Sequence, residues 1–389
     1  MSRPRIYLDN AATSWPKPNA VYQAVEHYMR ELGAPAGRSG YHEASVVERQ
    51  IAAARKSVAH LLNAESPSRI AFCANGTDAL NMAIHGLLRD GDHVVTTVVE
   101  HNSVLRPLRA LADAGTISVT HVACDSKGRV DPADVATAIQ RDTRLVALIH
   151  ASNVTGAIQP VEDVAAICRE REIPLLLDAA QSVGHCSVDV KKLGVSLLAC
   201  SGHKGMLGPL GTGILYLAPG MEELARPYRQ GGTGTRSEED RQPRELPHAY
   251  ESGNHNVLGI LGLEAGVSFV RGRTIKAIRK HETALVAQLI EGLREIDRVT
   301  IHGPGDAESR VGVVSISISG FDAHEVASTL DSAFGIQVRS GLHCAPRLHR
   351  ALGTLGRGGA IRFSLGIFNT SEQINTAVNA VRQLAETSS

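Results

Sequence analysis

The sequence predicts an α/β protein: a large, mostly parallel sheet covered by helices on both faces, followed by a smaller α+β unit. Three observations carry this expectation. Between residues 69 and 217, short and nearly uninterrupted apolar runs alternate with stretches of helical period, the pattern of strands buried on both sides. Beyond residue 255 the rhythm changes to two long helical patterns followed by short strands, which suits an α+β unit. The chain has 389 residues, 43% hydrophobic and 21% charged, enough for two to three domains of ordinary folded composition.

The elements follow in order. A short apolar run at 69–73 is read as a strand, and 77–88 as a helix opened by the turn Asn75-Gly76-Thr77. Strand 93–99, helix 104–112, strand 117–123 and helix 132–140 come next, the last led by Pro132 at a helix start. Strand 145–150, helix 161–171 and strands 174–177, 196–200 and 213–217 complete the large unit. Gly231 to Pro247, rich in glycine and charge, is read as a surface loop. The second unit is read as helices 256–270 and 273–295, strand 312–319, helix 324–332, strands 335–339 and 361–364, and a closing helix from Ser371. The expected division is a large domain at 45–255 and a small C-terminal domain at 256–389, with 1–44 packing against the small domain.

Composition excludes several functions. Forty Lys+Arg balance forty Asp+Glu, so the clustered basic surplus that nucleic acids and anionic membranes select is not expected. No run of some 18 apolar residues occurs, and the opening MSRPRIYLDN has no signal-like apolar core. A cytoplasmic location is the expectation. Six cysteines are scattered without CxxC pairs, which reads as free thiols in a reducing compartment. Five lie in apolar stretches as small buried hydrophobes. Cys344, in RSGLHCAPR, stands in a polar, glycine-containing context.

Ligands of doubly wound sheets collect beyond the carboxyl ends of the strands. The residues standing there are Asn75-Gly76-Thr77-Asp78, Glu100-His101-Asn102-Ser103, Ser152-Asn153, Asp178-Ala179-Ala180-Gln181 and Ser201-Gly202-His203-Lys204. Each has a task if the ligand is pyridoxal 5'-phosphate. Gly76 and Thr77 open a helix whose free N–H groups and dipole favour phosphate, although Thr77 alone would serve equally as a cap. Asp178, closing a buried strand, can keep a pyridine nitrogen protonated so that the ring becomes an electron sink. His101 can lie over the ring and relay protons. Asn153 and Gln181 can donate to the ring oxygen. Lys204 follows an apolar strand and sits in the glycine-rich SGHKGMLGPLGTG. A partly desolvated amine there has the lowered pKa that imine chemistry requires.

At this point the chain resembles a class V aminotransferase of fold type I, and within it the cysteine desulfurases of the group containing the Suf-type enzymes and the selenocysteine lyases. The resemblance rests on YLDNAATSWPKP, FCANGTDALN, EHNS, HASNVTGAIQPV, LLLDAAQSVGH, SGHKGMLGPLGTGILY, ESGNHN, VRSGLHCAP and IRFSLGIFNT, in the family's order over nearly the whole chain. It implies a fold type I enzyme with a mostly parallel seven-stranded sheet, a pyridoxal 5'-phosphate cofactor, L-cysteine or a close analogue as substrate, a homodimer, and an unidentified protein or small-molecule sulfur acceptor. Lys204 would carry the cofactor and take the substrate's Cα proton. Asp178 would pair with the pyridine nitrogen, His101 would stack on the ring, and Gln181 would contact the ring oxygen. Gly76, Thr77, Ser201 and His203 would hold the phosphate. Arg362 would clamp the substrate carboxylate, with Asn10, Asn153 and Arg339 beside it. Cys344 would accept the sulfur as a persulfide, with His343 and Arg339 as charges that favour its thiolate.

The chain departs from the family pattern in places. Gly253-Asn254-His255-Asn256 replaces a threonine-containing stretch, making Asn254 the expected phosphate contact of a partner subunit. Leu342, Pro346 and Arg347 surround Cys344 where other residue types are usual, and 351–360 is slightly longer. Two rivals remain at this level: a selenocysteine lyase or other C–S lyase releasing its product directly, and a non-catalytic scaffold that binds the cofactor. A nucleotide-binding dehydrogenase is disfavoured because neither GxGxxG after the first strand nor GxxxxGK[ST] occurs. His343, Cys344 and His349 have the wrong count and spacing for a closed zinc centre.

Overall fold

The computed structural model describes residues 5–36, 40–236 and 238–386. After a two-residue strand β1 (Ile6–Tyr7), the first body is built on a seven-stranded sheet. Its strands are β2 (Ile70–Cys73), β3 (Asp92–Thr97), β4 (Ile117–Val122), β5 (Thr143–Ile149), β6 (Leu175–Asp178), β7 (Leu197–Ser201) and β8 (Gly213–Leu217). They lie in the order β2-β8-β7-β6-β5-β3-β4, and only β8 runs against the rest. The expected mostly parallel seven-stranded sheet is therefore present.

Alternation along the strands separates two cores. Ile70, Phe72, Val146, Leu148, Leu175, Leu177, Ile214 and Tyr216 face one side. Ala71, Cys73, Leu145, Ala147, Leu176, Leu215 and Leu217 face the other. Successive strand side chains point to opposite faces, so a strand apolar at every position needs cover on both. The helix Gly76–Leu87 packs on β7 and β8 on one side, and the helices His42–Leu62 and Val161–Glu170 contribute to the core of the other.

A four-stranded antiparallel sheet forms the second body, in the order β12-β13-β10-β9 from β9 (Val299–His302), β10 (Val313–Ile318), β12 (Arg339–Gly341) and β13 (Ala360–Ser364). β1 pairs in parallel with β11 (Ile336–Gln337), and Leu8 joins the second body's apolar cluster. The single strand expected at 335–339 is thus two, because the chain leaves β1 after Gln337 and joins β13 at Arg339. Two helices, Asn19–His27 and His42–Leu62, occupy stretches where the sequence reading assigned none.

The helix Val257–Arg273 buries Val257, Ile260, Leu261, Leu263 and Val267 in the first body's core, not the second's. It passes so close behind the Lys204 segment that a Cβ on Gly266 would stand 2.4 Å from the Met206 carbonyl oxygen. Among the described residues no helix is long and apolar enough to cross a membrane.

Candidate active site

The carboxyl ends of β2, β6 and β7 and the loop after β3 converge on one cleft, and most of the expected residues line it. Asn75 caps the helix Gly76–Leu87: its Oδ1 accepts from the Asp78 N–H at 2.9 Å, while Asp78 Oδ2 accepts from the Ala74 N–H at 2.8 Å. This reciprocal cap satisfies two donors. It leaves the Gly76 and Thr77 amides at the positive end of a twelve-residue helix. A Cβ on Gly76 would lie 2.6 Å from Ser201 Oγ and 3.3 Å from the Ser201 amide. Gly76 and Ser201 are therefore adjacent walls of one cup. Thr77 Oγ1 shares a 2.7 Å hydrogen bond with Ser103 Oγ, which lies 2.8 Å from His101 Nδ1.

His101 caps the helix Asn102–Asp113, its Nδ1 accepting from the Ser103 N–H at 3.0 Å. An imidazole nitrogen that accepts cannot carry hydrogen, so the proton is on Nε2. Burial pushes the ring's pKa down to about 4, helped by the Lys204 cation and then by Arg339 and Arg362. His101 is therefore a neutral ring near neutral pH.

Asp178 ends β6 between Ile149 of β5 and Ala199 of β7 and is 4% exposed. Its Oδ1 accepts from the Ala180 N–H at 3.0 Å. Burial raises the affinity of its carboxyl for a proton, opposed by that hydrogen bond and by Lys204. Gln181 is buried, its Nε2 donating to the Ala11 carbonyl at 3.0 Å. This bond ties the cleft to the N-terminal segment.

Lys204 sits in the turn after β7, its carbonyl accepting from the Leu207 N–H at 2.8 Å and the Ser14 hydroxyl at 3.0 Å. It is half-buried. Its pKa is lowered by burial first, with Asp178 opposing and Arg362 adding repulsion. Gly205 fits against Val183, where a Cβ would stand 2.3 Å from the carbonyl oxygen. His203 presents its carbonyl to Ser14 and to Lys17 Nζ at 2.8 Å, while its ring Nδ1 is buried without a partner among the described residues.

Arg362 of β13 lies directly opposite Arg339 of β12. Directly opposed residues share a sheet face, and like charges so placed repel. Arg362 Nη2 donates to Asp9 Oδ1 at 2.7 Å and Nη1 to the Asn153 carbonyl at 3.1 Å; Nε has no partner among the described residues. Asn153 Oδ1 is likewise buried and unpartnered. Asn10 Nδ2 donates to the Ser364 carbonyl at 3.0 Å and to Asn369 Oδ1 at 3.2 Å. Two opposed guanidiniums and unsatisfied polar atoms suit an anionic, hydrogen-bonding ligand.

Cys344 is a half-buried free thiol on a tight turn. The Ala345 N–H donates to the Leu342 carbonyl at 2.9 Å, and the central pair His343 and Cys344 has φ of 48° and 58°. Neither is glycine, so the turn is held by its surroundings. The Cys344 carbonyl accepts from the Asn102 N–H at 2.7 Å, and the Asn153 side chain donates to the His343 carbonyl. The expectation that His343 supplies charge to the thiol is corrected. Its ring is buried between His349 Nε2 and the Arg339 carbonyl, and burial pushes its pKa down to about 2.

Asn254 is exposed and lines a pocket with Cys73, Gly213 and Arg229. Three contributors had no assigned role in the sequence reading: Ser103, which links Thr77 to His101; Asp9, which pairs with Arg362; and Lys17, whose burial pushes its pKa down to about 8. Ser103 and Asp9 lie inside EHNS and YLDN, beside His101 and Asn10. Of the five cysteines expected to be buried, Cys124 and Cys186 are only partly so.

Comparison with known proteins agrees with this architecture. The family model described as Aminotransferase class-V matches residues 6–376. A probable cysteine desulfurase of Methanothermobacter thermautotrophicus is 36% identical over 98% of this chain and 95% of its own length. The apo structure of a cysteine desulfurase from Thermococcus onnurineus superposes with a TM-score of 0.92 at 32% identity, covering 99% of both chains. The crystal structure of the Escherichia coli cysteine desulfurase CsdA gives 0.86 at 26% identity, over 98% of this chain and 94% of that one. On the sequence match and the shared fold, the chain belongs to the class V aminotransferase family.

Proposed function

We propose that the chain is a pyridoxal 5'-phosphate-dependent cysteine desulfurase, converting L-cysteine to L-alanine and leaving a persulfide on Cys344 for a sulfur acceptor. The observation that carries this reading is the position of Cys344. Its turn is bonded to Asn102, next to His101, and to Asn153, next to Arg362. The thiol-bearing segment is thereby fixed to the same cleft that holds Lys204.

The residues present fit the cofactor. The cup of Gly76, Thr77 and Ser201, with His203 beside it, would hold the phosphate at a helix N-terminus. Asp178 would accept the pyridine N–H, His101 would cover the ring, and Gln181 and Asn153 would reach its oxygen. When bound, the cofactor supplies an electron sink for charge developing at the substrate's Cα. Lys204, its amine biased toward the neutral form, holds and moves the Cα proton. Arg362, with Arg339 opposite and Asn10 near, holds the substrate carboxylate. Cys344 takes the sulfur: a bond forms from Sγ to the substrate sulfur as the Cβ–S bond breaks.

The reading includes a homodimer in which Asn254 reaches the partner's phosphate, and a cytoplasmic role in supplying sulfur for iron–sulfur clusters or thiolated compounds. It also keeps bodies near 45–255 and 256–389, with the helix Val257–Arg273 seated on the first. The test is alanine formation from L-cysteine by the cofactor-loaded chain and by Cys344→Ala. We expect the variant to lose at least about a hundredfold. Equal turnover would rule out the persulfide route and favour direct release.

A further inference from the structure

A groove of about 530 Å³ runs beside the Cys344 turn, between the helix Asn102–Asp113 and the short helix Pro346–Ala351. Its walls begin beside the backbone of the Cys344 turn. Asn102, which begins one wall, holds the Cys344 carbonyl at 2.7 Å, and Pro346, which begins the other, is two residues past the cysteine. Leu105, Ala112, Val119 and Pro346 give it apolar surface, and Arg106, Arg109, Arg347 and Arg350 give it charge.

The charge is poorly compensated. Arg109 pairs with Asp113 at 2.7 Å, whereas Arg106, Arg347 and Arg350 make no ion pair among the described residues. Among the described residues no carboxylate lines the groove, although the whole chain has zero formal charge. The cations act on one another: burial lowers the pKa of Arg347, and Arg350 and Arg109 lower it further. Crowding like charges raises the energy of the free surface, and an acidic partner relieves it. An apolar floor with an exposed charged rim is the anatomy of a protein contact.

We infer that this groove docks the acidic face of a protein carrying the acceptor thiol, so that charge selects which acceptor receives sulfur from Cys344. This rests on the persulfide reading. The acceptor thiol, deprotonated to solvent, attacks the outer persulfide sulfur. A sulfur–sulfur bond to the acceptor forms, the Cys344 Sγ–S bond breaks, and Cys344 leaves as a thiolate. Among the described residues Arg109, Arg347 and Arg350 make no hydrogen bond or ion pair with the proposed site residues, and Arg106 adds only the weakest of the repulsions on His101. Turnover driven by a small uncharged thiol is therefore expected to change little when they are replaced.

The experiment measures alanine from L-cysteine with three acceptors: dithiothreitol, a short peptide with one cysteine among glutamates, and the same peptide with lysines instead. The holoenzyme is compared with Arg347→Gln/Arg350→Gln and with Arg106→Gln/Arg109→Gln. We expect the acidic peptide to be used at least about tenfold faster than the basic one at low salt. That preference should fall in each double variant and in high salt, with dithiothreitol-driven rates within about twofold throughout. Equal use of both peptides, or a preference that survives both variants, overturns the docking inference while leaving the desulfurase reading intact. No alanine with dithiothreitol from the unaltered chain overturns the desulfurase reading and this inference with it.

Discussion

Asp9 and Arg362 join the two ends of the chain in one ion pair: Asp9 Oδ1 accepts from Arg362 Nη2 at 2.7 Å, and the arginine is almost wholly enclosed. A buried guanidinium without a partner is strongly unfavourable. Asp9 therefore both keeps Arg362 charged and fixes the direction in which its free N–H groups point. Burial pulls the arginine's pKa down, and the Asp9 carboxylate holds it up.

Replacing Asp9 by Asn keeps an acceptor and removes the charge. In Asp9→Asn we expect KM for L-cysteine to rise about tenfold, with kcat changed by less, because the group affected is the one we propose to bind the substrate carboxylate. Steady-state alanine assays read both constants. A fall in kcat at unchanged KM would refute this role for the pair.

The cup formed by Gly76 and Ser201 gives a steric prediction. Gly76→Ala places a methyl 2.6 Å from Ser201 Oγ and 3.3 Å from its amide. The hydroxyl can rotate, but the backbone of β7 cannot move without disturbing Asp178 alongside. We expect a stability loss of about 1–3 kcal/mol and pyridoxal phosphate binding weaker by at least tenfold. Absorbance titration of the cofactor-free chain measures the second effect. Gly76→Ala/Ser201→Gly should recover part of the stability without restoring affinity.

Much of this arrangement was legible in the sequence for a definite reason. Strands such as LVALI and LLL are apolar at every position, so both their identity and their double cover could be read directly. Polar residues ending such strands then fall at one edge of the sheet. The helix His42–Leu62 escaped because much of its buried stripe is alanine and serine, with a weak apolar signal. Asp9–Arg362 and Thr77–Ser103 were hidden differently, since each joins residues distant in sequence through side-chain direction. The inward turn of His343 depends on the positive φ at two non-glycine residues, which no local preference announces.

Buried imidazoles predict acid sensitivity. His150, buried, and His101, His203 and His349 are pushed down to about 4, chiefly by burial. Each unfolded ring gains a proton near the ordinary histidine value, whereas its folded counterpart does not until about pH 4. The unfolded state therefore binds more protons in that window, and stability falls as pH drops from about 7 to 4. A fully buried ring contributes up to about 1.4 kcal/mol per pH unit. Urea midpoints across this range should flatten in His150→Gln. The factor lost in His101→Asn, about a hundredfold in kcat/KM, should be constant from pH 6 to 8, since that ring does not titrate there.

Glu100 predicts the opposite slope. It is fully buried beside His101, with Oε1 accepting from the Thr97 hydroxyl at 2.7 Å and the Ile149 N–H at 3.0 Å, while Oε2 has no partner among the described residues. Burial pushes its pKa up to about 8, against those hydrogen bonds and with added repulsion from Asp178. Between the ordinary carboxylate range and pH 8 the folded carboxyl keeps a proton that the unfolded one has lost. Its share of stability is therefore complete at pH 4 and declines as pH rises toward 8. Glu100→Gln keeps an oxygen for Thr97 and Ile149 but never ionises. At pH 5 the variant should lie within about 1 kcal/mol of the parent, and at pH 8 it should be more stable by about 1–3 kcal/mol. Chemical denaturation at the two pH values decides the matter: a stability difference that does not grow with pH would mean that Glu100 is ionised in the fold, paired with a group other than Thr97 and Ile149.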